Sequence, residues 1–129
     1  MAPRYLLDTN ICIYIRRRRP REVLNRFLSL EAGEATVSVI TYGELAFGAA
    51  KLHPLPYRAT EQLQEFVEFV RVLPLPIEAG GLYGELRALL EMKGEMIGNN
   101  DLWIAAHALS ANLTVVTNNE REFHRVLNL

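Results

Sequence analysis

Cysteine is nearly missing from this sequence. Cys12 is its only thiol, so no internal disulfide can form, and a reducing cytoplasm is the expected setting. No apolar run approaches the length needed to span a bilayer, and the opening Met1-Ala2-Pro3-Arg4 has no signal-peptide layout. The Cys and His spacing of a zinc site is absent, as are a Ser-His-Asp pattern, a Walker loop and a Gly-x-Gly-x-x-Gly fingerprint. Zinc-built domains, triad hydrolases and the standard nucleotide-binding loops are thereby set aside. Neither charge is in surplus: Lys and Arg number 14 against 15 Asp and Glu, a formal net charge of −1. The total therefore does not announce a nucleic-acid binder. No internal repeat, low-complexity tract or linker divides the chain.

What is present fits one globular domain over residues 1–129. A chain of this length buries a core without staples, and 50% hydrophobic with 22% charged residues is the profile of a soluble protein. Tyr5-Leu6-Leu7 reads as a buried parallel strand that runs into Asp8-Thr9-Asn10, after which Ile11, Tyr14 and Ile15 take up helical spacing. That helix ends in arginines, which complement its dipole. Pro20 stops it and can serve as the first residue of the next helix, whose apolar stripe is Val23, Leu24, Phe27 and Leu28. Glu31 to Glu34 is a turn, and Ala35 to Val39 a short β-branched strand. Thr41 and Glu44 have capping-box spacing at the start of a helix rich in small residues.

The segment His53-Pro54-Leu55-Pro56 is a break. A helix with Leu63, Phe66, Val67 and Val70 on one face follows, and Phe66, Phe69 and Phe123 read as core. Val72 to Pro76 is an edge strand at best, because of its prolines. A helix from Ile77 to about Lys93-Gly94 comes next, then a polar turn over Ile97 to Asn100. Asp101 lies in the first turn of the helix after it. Leu113 to Val116 is the fourth strand, ending in Thr117-Asn118-Asn119 and followed by a short helix from Glu120 to Val126. This alternation predicts an α/β fold: a central, mainly parallel sheet of four to five strands with helices on both faces.

In open α/β sheets, ligands sit outside the carboxyl ends of the strands. Asp8 ends the first strand, Glu44 lies in the helix after the second, and Asp101 opens a later helix. Asn118 and Asn119 end the fourth strand, with Glu122 about one turn further on. All could meet in one cleft. Carboxylates without histidine or cysteine companions suit hard cations such as Mg²⁺ or Mn²⁺. Clustered carboxylates also raise one another's pKa unless a cation neutralises them. A metal site of this kind serves phosphodiester hydrolysis, which needs no covalent nucleophile.

Four blocks in this order, Leu6-Leu7-Asp8-Thr9-Asn10-Ile11, Ser38 to Leu45 with Phe47-Gly48-Ala49, Ile97 to Ala108, and Val116 to Phe123, resemble the PIN-domain ribonucleases. The likeness is greatest to the VapC toxins of bacterial toxin–antitoxin modules and covers nearly the whole chain. It implies a PIN-like three-layer fold and a Mg²⁺- or Mn²⁺-dependent endoribonuclease acting on structured RNA such as tRNA. It further implies a cytoplasmic homodimer held inactive by a VapB-like antitoxin. On that resemblance Asp8 and Asp101 are metal ligands, and Glu44 ligates directly or through water. Many PIN domains carry a fourth aspartate where this chain has the neutral Asn119, with Glu122 as the substitute suggested by relatives sharing Thr-Asn-Asn. Asn99 stands where relatives often have proline.

Simpler roles exist for the same residues. Asp8 or Thr9 can cap the first helix, Asp101 can favour a helix dipole, and Glu44 can pair with Thr41. Thr9 and Thr117 can bond to cleft carboxylates or cap helices, while Asn10 and Asn118 are auxiliary polar groups. His107 reads as a satisfied structural histidine, His53 and His124 carry no signal, and Trp103 and Tyr83 read as core or interface. The dense block Arg16, Arg17, Arg18, Arg19 and Arg21 is a solvated helix end, an RNA-phosphate contact or a surface for an acidic antitoxin segment. Two other functions compete with the nuclease: a catalytically silent PIN-like module that binds RNA or protein, and a phospho-acceptor receiver domain. The receiver design wants a lysine after a late strand, and Thr117-Asn118-Asn119 offers none.

Overall fold

The computed structural model describes residues 2–52, 56–126 and 128–129; the break predicted at His53-Pro54-Leu55 lies outside the described residues. Four strands are present: β1 (Tyr5–Leu7), β2 (Ala35–Ser38), β3 (Arg71–Leu73) and β4 (Thr114–Val116). They form one parallel sheet in the order β3-β2-β1-β4. The helices are α1 (Thr9–Arg17), α2 (Arg21–Leu28), α3 (Val39–Ala50), α4 (Pro56–Phe69), α5 (Ile77–Lys93), α6 (Asn99–Ala111) and α7 (Glu120–Phe123). The expected α/β fold is present, with four strands.

Adjacent residues of β1 separate the two cores. Successive side chains of a strand point to opposite faces, so Leu6 joins Leu86, Leu90, Leu102, Ile104 and Phe123 on one side. Leu7 joins Ile11, Ile15, Val37, Leu63 and Val70 on the other. Helices α5, α6 and α7 therefore cover one face, while α1, α2 and α4 cover the other. Being buried on both faces, β1 reads as a continuous apolar run rather than an alternation.

Local chemistry sets most of the element ends. Pro20 precedes α2 as its N-cap rather than forming its first turn, and Gly94 closes α5 at φ 68°, in the left-handed region glycine favours. β3 is an edge strand, so Pro74 just beyond it removes no ladder hydrogen bond. The second strand stops at Ser38, whose hydroxyl accepts from the Ile40 N–H and caps α3. Thr41 is thus buried inside the helix, not at its cap, and its Oγ1 has no hydrogen-bond partner among the described residues. Two further readings change. α6 begins at Asn99, inside the predicted turn, and Phe69 is 77% exposed rather than core, because it closes α4 on its outer side.

Leu102 is fully buried in the α5–α6 core, whereas Met92 is 79% exposed. Leu102→Ala is expected to lower the unfolding free energy by ~3 kcal/mol, and Met92→Ala to change it by under ~0.5 kcal/mol. Urea unfolding followed by circular dichroism measures both; equal effects would contradict this core assignment.

Candidate active site

The strand order places β4 and β2 on opposite sides of β1. Between β1 and β4 the chain connections diverge, and that is the crevice where α/β sheets bind ligands. Asp8 stands at its floor, immediately after β1 and 5% exposed. Its two oxygens have separate duties. Oδ1 accepts from the Ile11 N–H at 2.9 Å and caps α1, while Oδ2 accepts from the Thr117 hydroxyl at the end of β4. Capping and cleft-facing were alternatives in the sequence; one carboxylate does both.

The other carboxylates arrive from helices. The capping-box role of Glu44 does not exist, because Ser38 starts α3 one turn earlier. Glu44 is therefore free to reach across to α1, where Oε1 accepts from the Thr9 hydroxyl at 2.6 Å. Asp101 projects from the first turn of α6 and hydrogen-bonds to Glu122 of α7. Asn119 holds that glutamate from the other side, donating from Nδ2 to Oε2 at 2.8 Å. Its own N–H donates to Thr117 Oγ1 at 2.8 Å, so the Thr117-Asn118-Asn119 edge folds back onto itself.

One cavity of about 250 Å³ is lined by Asp8, Thr9, Asn10, Glu44, Asp101 and Asn119. Glu122 stands behind it, touching the cleft through Asp101 and Asn119. Asn118 turns away, donating to the Tyr14 hydroxyl at 2.6 Å. The arginine block does not enter the cleft: Arg16 and Arg17 lie at the opposite end of α1 from Asp8. His107 is 1% exposed, its Nδ1 has no hydrogen-bond partner among the described residues, and burial lowers its pKa; it is a core residue rather than a cleft one. Tyr83 and Trp103 stack on each other at 3.8 Å and cover the α5–α6 seam.

Crowding sets the electrostatics. Burial raises the pKa of Asp8; the hydrogen bonds from Thr117 and Ile11 oppose that, and the negative charge of Glu44 adds to it. The Asp101 pKa is pushed up to about 6, first by burial, then by its hydrogen bond to Glu122 and the charges of Glu122, Asp8 and Glu44. Asp101 thus holds its proton to higher pH than an ordinary aspartate does. Among the described residues no three His, Cys, Asp or Glu side chains are grouped so as to hold a metal ion as they stand. The chemistry of the lining nonetheless suits a hard divalent cation: it offers carboxylates, a hydroxyl and amides, with no imidazole or thiol among them.

Sequence reasoning passed over a second depression beside the cleft. It shares Thr9 and Glu44 and is lined further by Phe47, Gly48, Lys51 and Asn100, with the Lys51 ammonium 4.9 Å from the Phe47 ring centroid. The signal was present in the numbering: positions 44, 47, 48 and 51 lie three, four and seven apart, one face of a helix.

Comparison with known proteins shows the family. The PIN domain family model matches residues 5–128. The chain is 43% identical over 126 residues to Ribonuclease VapC2 of Haemophilus influenzae, covering 98% of this chain and 94% of that one. It is 40% identical over 123 residues to the tRNA(fMet)-specific endonuclease VapC of Shigella flexneri, covering 95% and 92%. Among solved structures, VapBC2 from Rickettsia felis, bound to a DNA fragment from its promoter, superposes with a TM-score of 0.88. The two are 38% identical, with coverage of 100% and 96%. DNA-bound VapBC from Salmonella typhimurium gives 0.90 at 37% identity, with coverage of 98% and 95%. Fold and relatives agree, and the chain belongs to the PIN-domain family, as a VapC-type member.

Proposed function

We propose that this chain is a Mg²⁺- or Mn²⁺-dependent endoribonuclease toxin that hydrolyses phosphodiester bonds of structured RNA such as tRNA and is neutralised by a VapB-like antitoxin. The observation that carries it is the gathering of Asp8, Glu44 and Asp101 around one cavity. The relatives add support, since those named ribonucleases and endonucleases match almost end to end. Solved VapBC complexes with the same fold support an antitoxin partner. A homodimer is part of the proposal; the exposed apolar residues Val39, Phe47 and Ile77 favour it.

Asp8 and Asp101 would hold the cation, with Glu44 binding directly or through water. Once bound, the cation supplies charge neutralisation at the phosphate and a more acidic water. The remaining work belongs to the chain's own side chains. Thr9 and Thr117 each donate their single hydroxyl proton to one carboxylate, which fixes its orientation and requires the accepting oxygen to be unprotonated. Asn119 and Glu122 brace Asp101 from behind. Asn119 contributes an amide rather than a fourth charge, and Glu122 supplies the missing carboxylate one turn later.

Purified protein is expected to cut a tRNA transcript in Mg²⁺ or Mn²⁺ and to stop in EDTA, with Asp8→Ala at least ~100-fold slower. Equal cutting by Asp8→Ala, followed on denaturing gels, would refute the proposal. Thr117→Val is expected to weaken Mg²⁺ binding by ~10-fold in calorimetry, as loss of a ligand's orienting partner does, and Thr117→Ser to retain it.

A pH dependence follows from Asp101. Below its ordinary pKa of 3.8 the folded and unfolded chains both carry the proton. Between there and about 6 only the folded chain retains it, so Asp101 makes stability fall as pH rises, and the full penalty stands above about 6. Asp101→Asn is expected to flatten that window and to stabilise the metal-free protein at pH 7 by ~1 kcal/mol, after the screening a partly exposed side chain receives. Thermal melts across pH, with EDTA, test this; a destabilised Asp101→Asn protein would contradict it.

A further inference from the structure

Without a cation, a cleft lined by Asp8, Glu44 and Asp101 repels phosphates, so any grip on RNA that does not depend on the cation comes from elsewhere on the surface. Five of the chain's fourteen basic residues fall between Arg16 and Arg21, and no stretch of similar length elsewhere holds more than two. All five are exposed. Among the described residues, none of the five makes an ion pair; the two bridges present are Arg4–Glu34 and Arg87–Glu91. Their charge is therefore uncompensated, in a chain whose remainder is acidic on balance.

These arginines also border a depression. Arg16, Arg17 and Arg18 line an open hollow of about 650 Å³ with Gln62, Glu65, Phe66 and Phe69 of α4. Arg16 lies over the Phe66 ring, 5.7 Å from its centroid, and Phe69 is 77% exposed. A basic rim around aromatic faces is the pairing that holds a nucleic-acid strand, phosphates on the cations and unpaired bases on the rings. Glu65 is the one carboxylate in the lining, and an acidic peptide would have no use for the rings. The nine residues of α1 separate the hollow from Asp8 by ~13 Å, a span a stacked strand covers in about four nucleotides.

We infer that the Arg16–Arg21 block and the α4 aromatics beside it form an RNA-anchoring surface, holding the substrate strand about four nucleotides from the bond cut at Asp8. The inference rests on the nuclease reading for its substrate, but binding can be measured apart from cleavage. A fluorescently labelled RNA hairpin is titrated in EDTA over a range of salt concentrations, with wild type, Arg17→Gln/Arg18→Gln/Arg19→Gln, and a control of equal charge change, Arg58→Gln/Lys93→Gln/Arg121→Gln. Circular dichroism melts verify folding of all three. The arginine variant is expected to bind at least ~10-fold more weakly at low salt, and its salt slope to fall by about 2, while the control stays near wild type. Unchanged affinity and slope, or equal losses in the control, would overturn the assignment. So would displacement of the RNA by polyglutamate at lower concentration than by polyuridylate, which would give the surface to an acidic protein segment. Failure of wild type to cut any RNA would refute the nuclease reading without altering the outcome of this titration.

Discussion

Everything in this cleft depends on how one buried carboxylate is held. Asp8 comes out of the central strand with both oxygens engaged, one by the first turn of α1 and the other by Thr117 at the end of β4. A buried carboxylate without such partners would neutralise itself by taking up a proton. Here two donors oppose that tendency, and the side chain is pinned at the switch point of the sheet. The same two bonds tie a helix start to a strand 109 residues away, so fold and site share one fastening.

The neighbours follow from that constraint. Glu44 is steadied by Thr9, the residue after Asp8, and Asp101 by Glu122, which Asn119 holds in turn. Asp8 and Glu44 are thus oriented by threonine hydroxyls, and Asp101 by a glutamate that an asparagine amide holds. The cost appears in the protonation: burial first, then Glu122 and the neighbouring charges, push the Asp101 pKa up to about 6. The cation proposed for this cleft would relieve that crowding. The PIN family, to which the chain belongs, matches it along residues 5–128.

Much of the fold was legible because its elements are punctuated by local chemistry. Apolar triplets end in Asp or Thr, prolines stand at element ends, and Gly94 closes the long helix. Where the reading failed, a competitor sat close by. Thr41 looked like a cap because Glu44 follows at the right spacing, yet Ser38 offered the same hydroxyl one turn earlier and took the position. Phe69 looked like core because aromatics usually are, but it falls on the outer side of α4. Neither choice is decided within a window of a few residues.

The sequence by itself determined the alternation of strands and helices, the two-sided burial of β1 and the identity of the acidic groups, since all three follow from residue type and period. Tertiary structure alone decided which hydroxyl meets which carboxylate, that Asn118 leaves the cleft while Asn119 stays, and that the arginines lie at the far end of α1. The physical reason is adjacency in space. Hydrogen bonds and charge crowding act over a few ångströms, and only the packing of β1 between β2 and β4 brings residues 8, 44, 101 and 117 within that range.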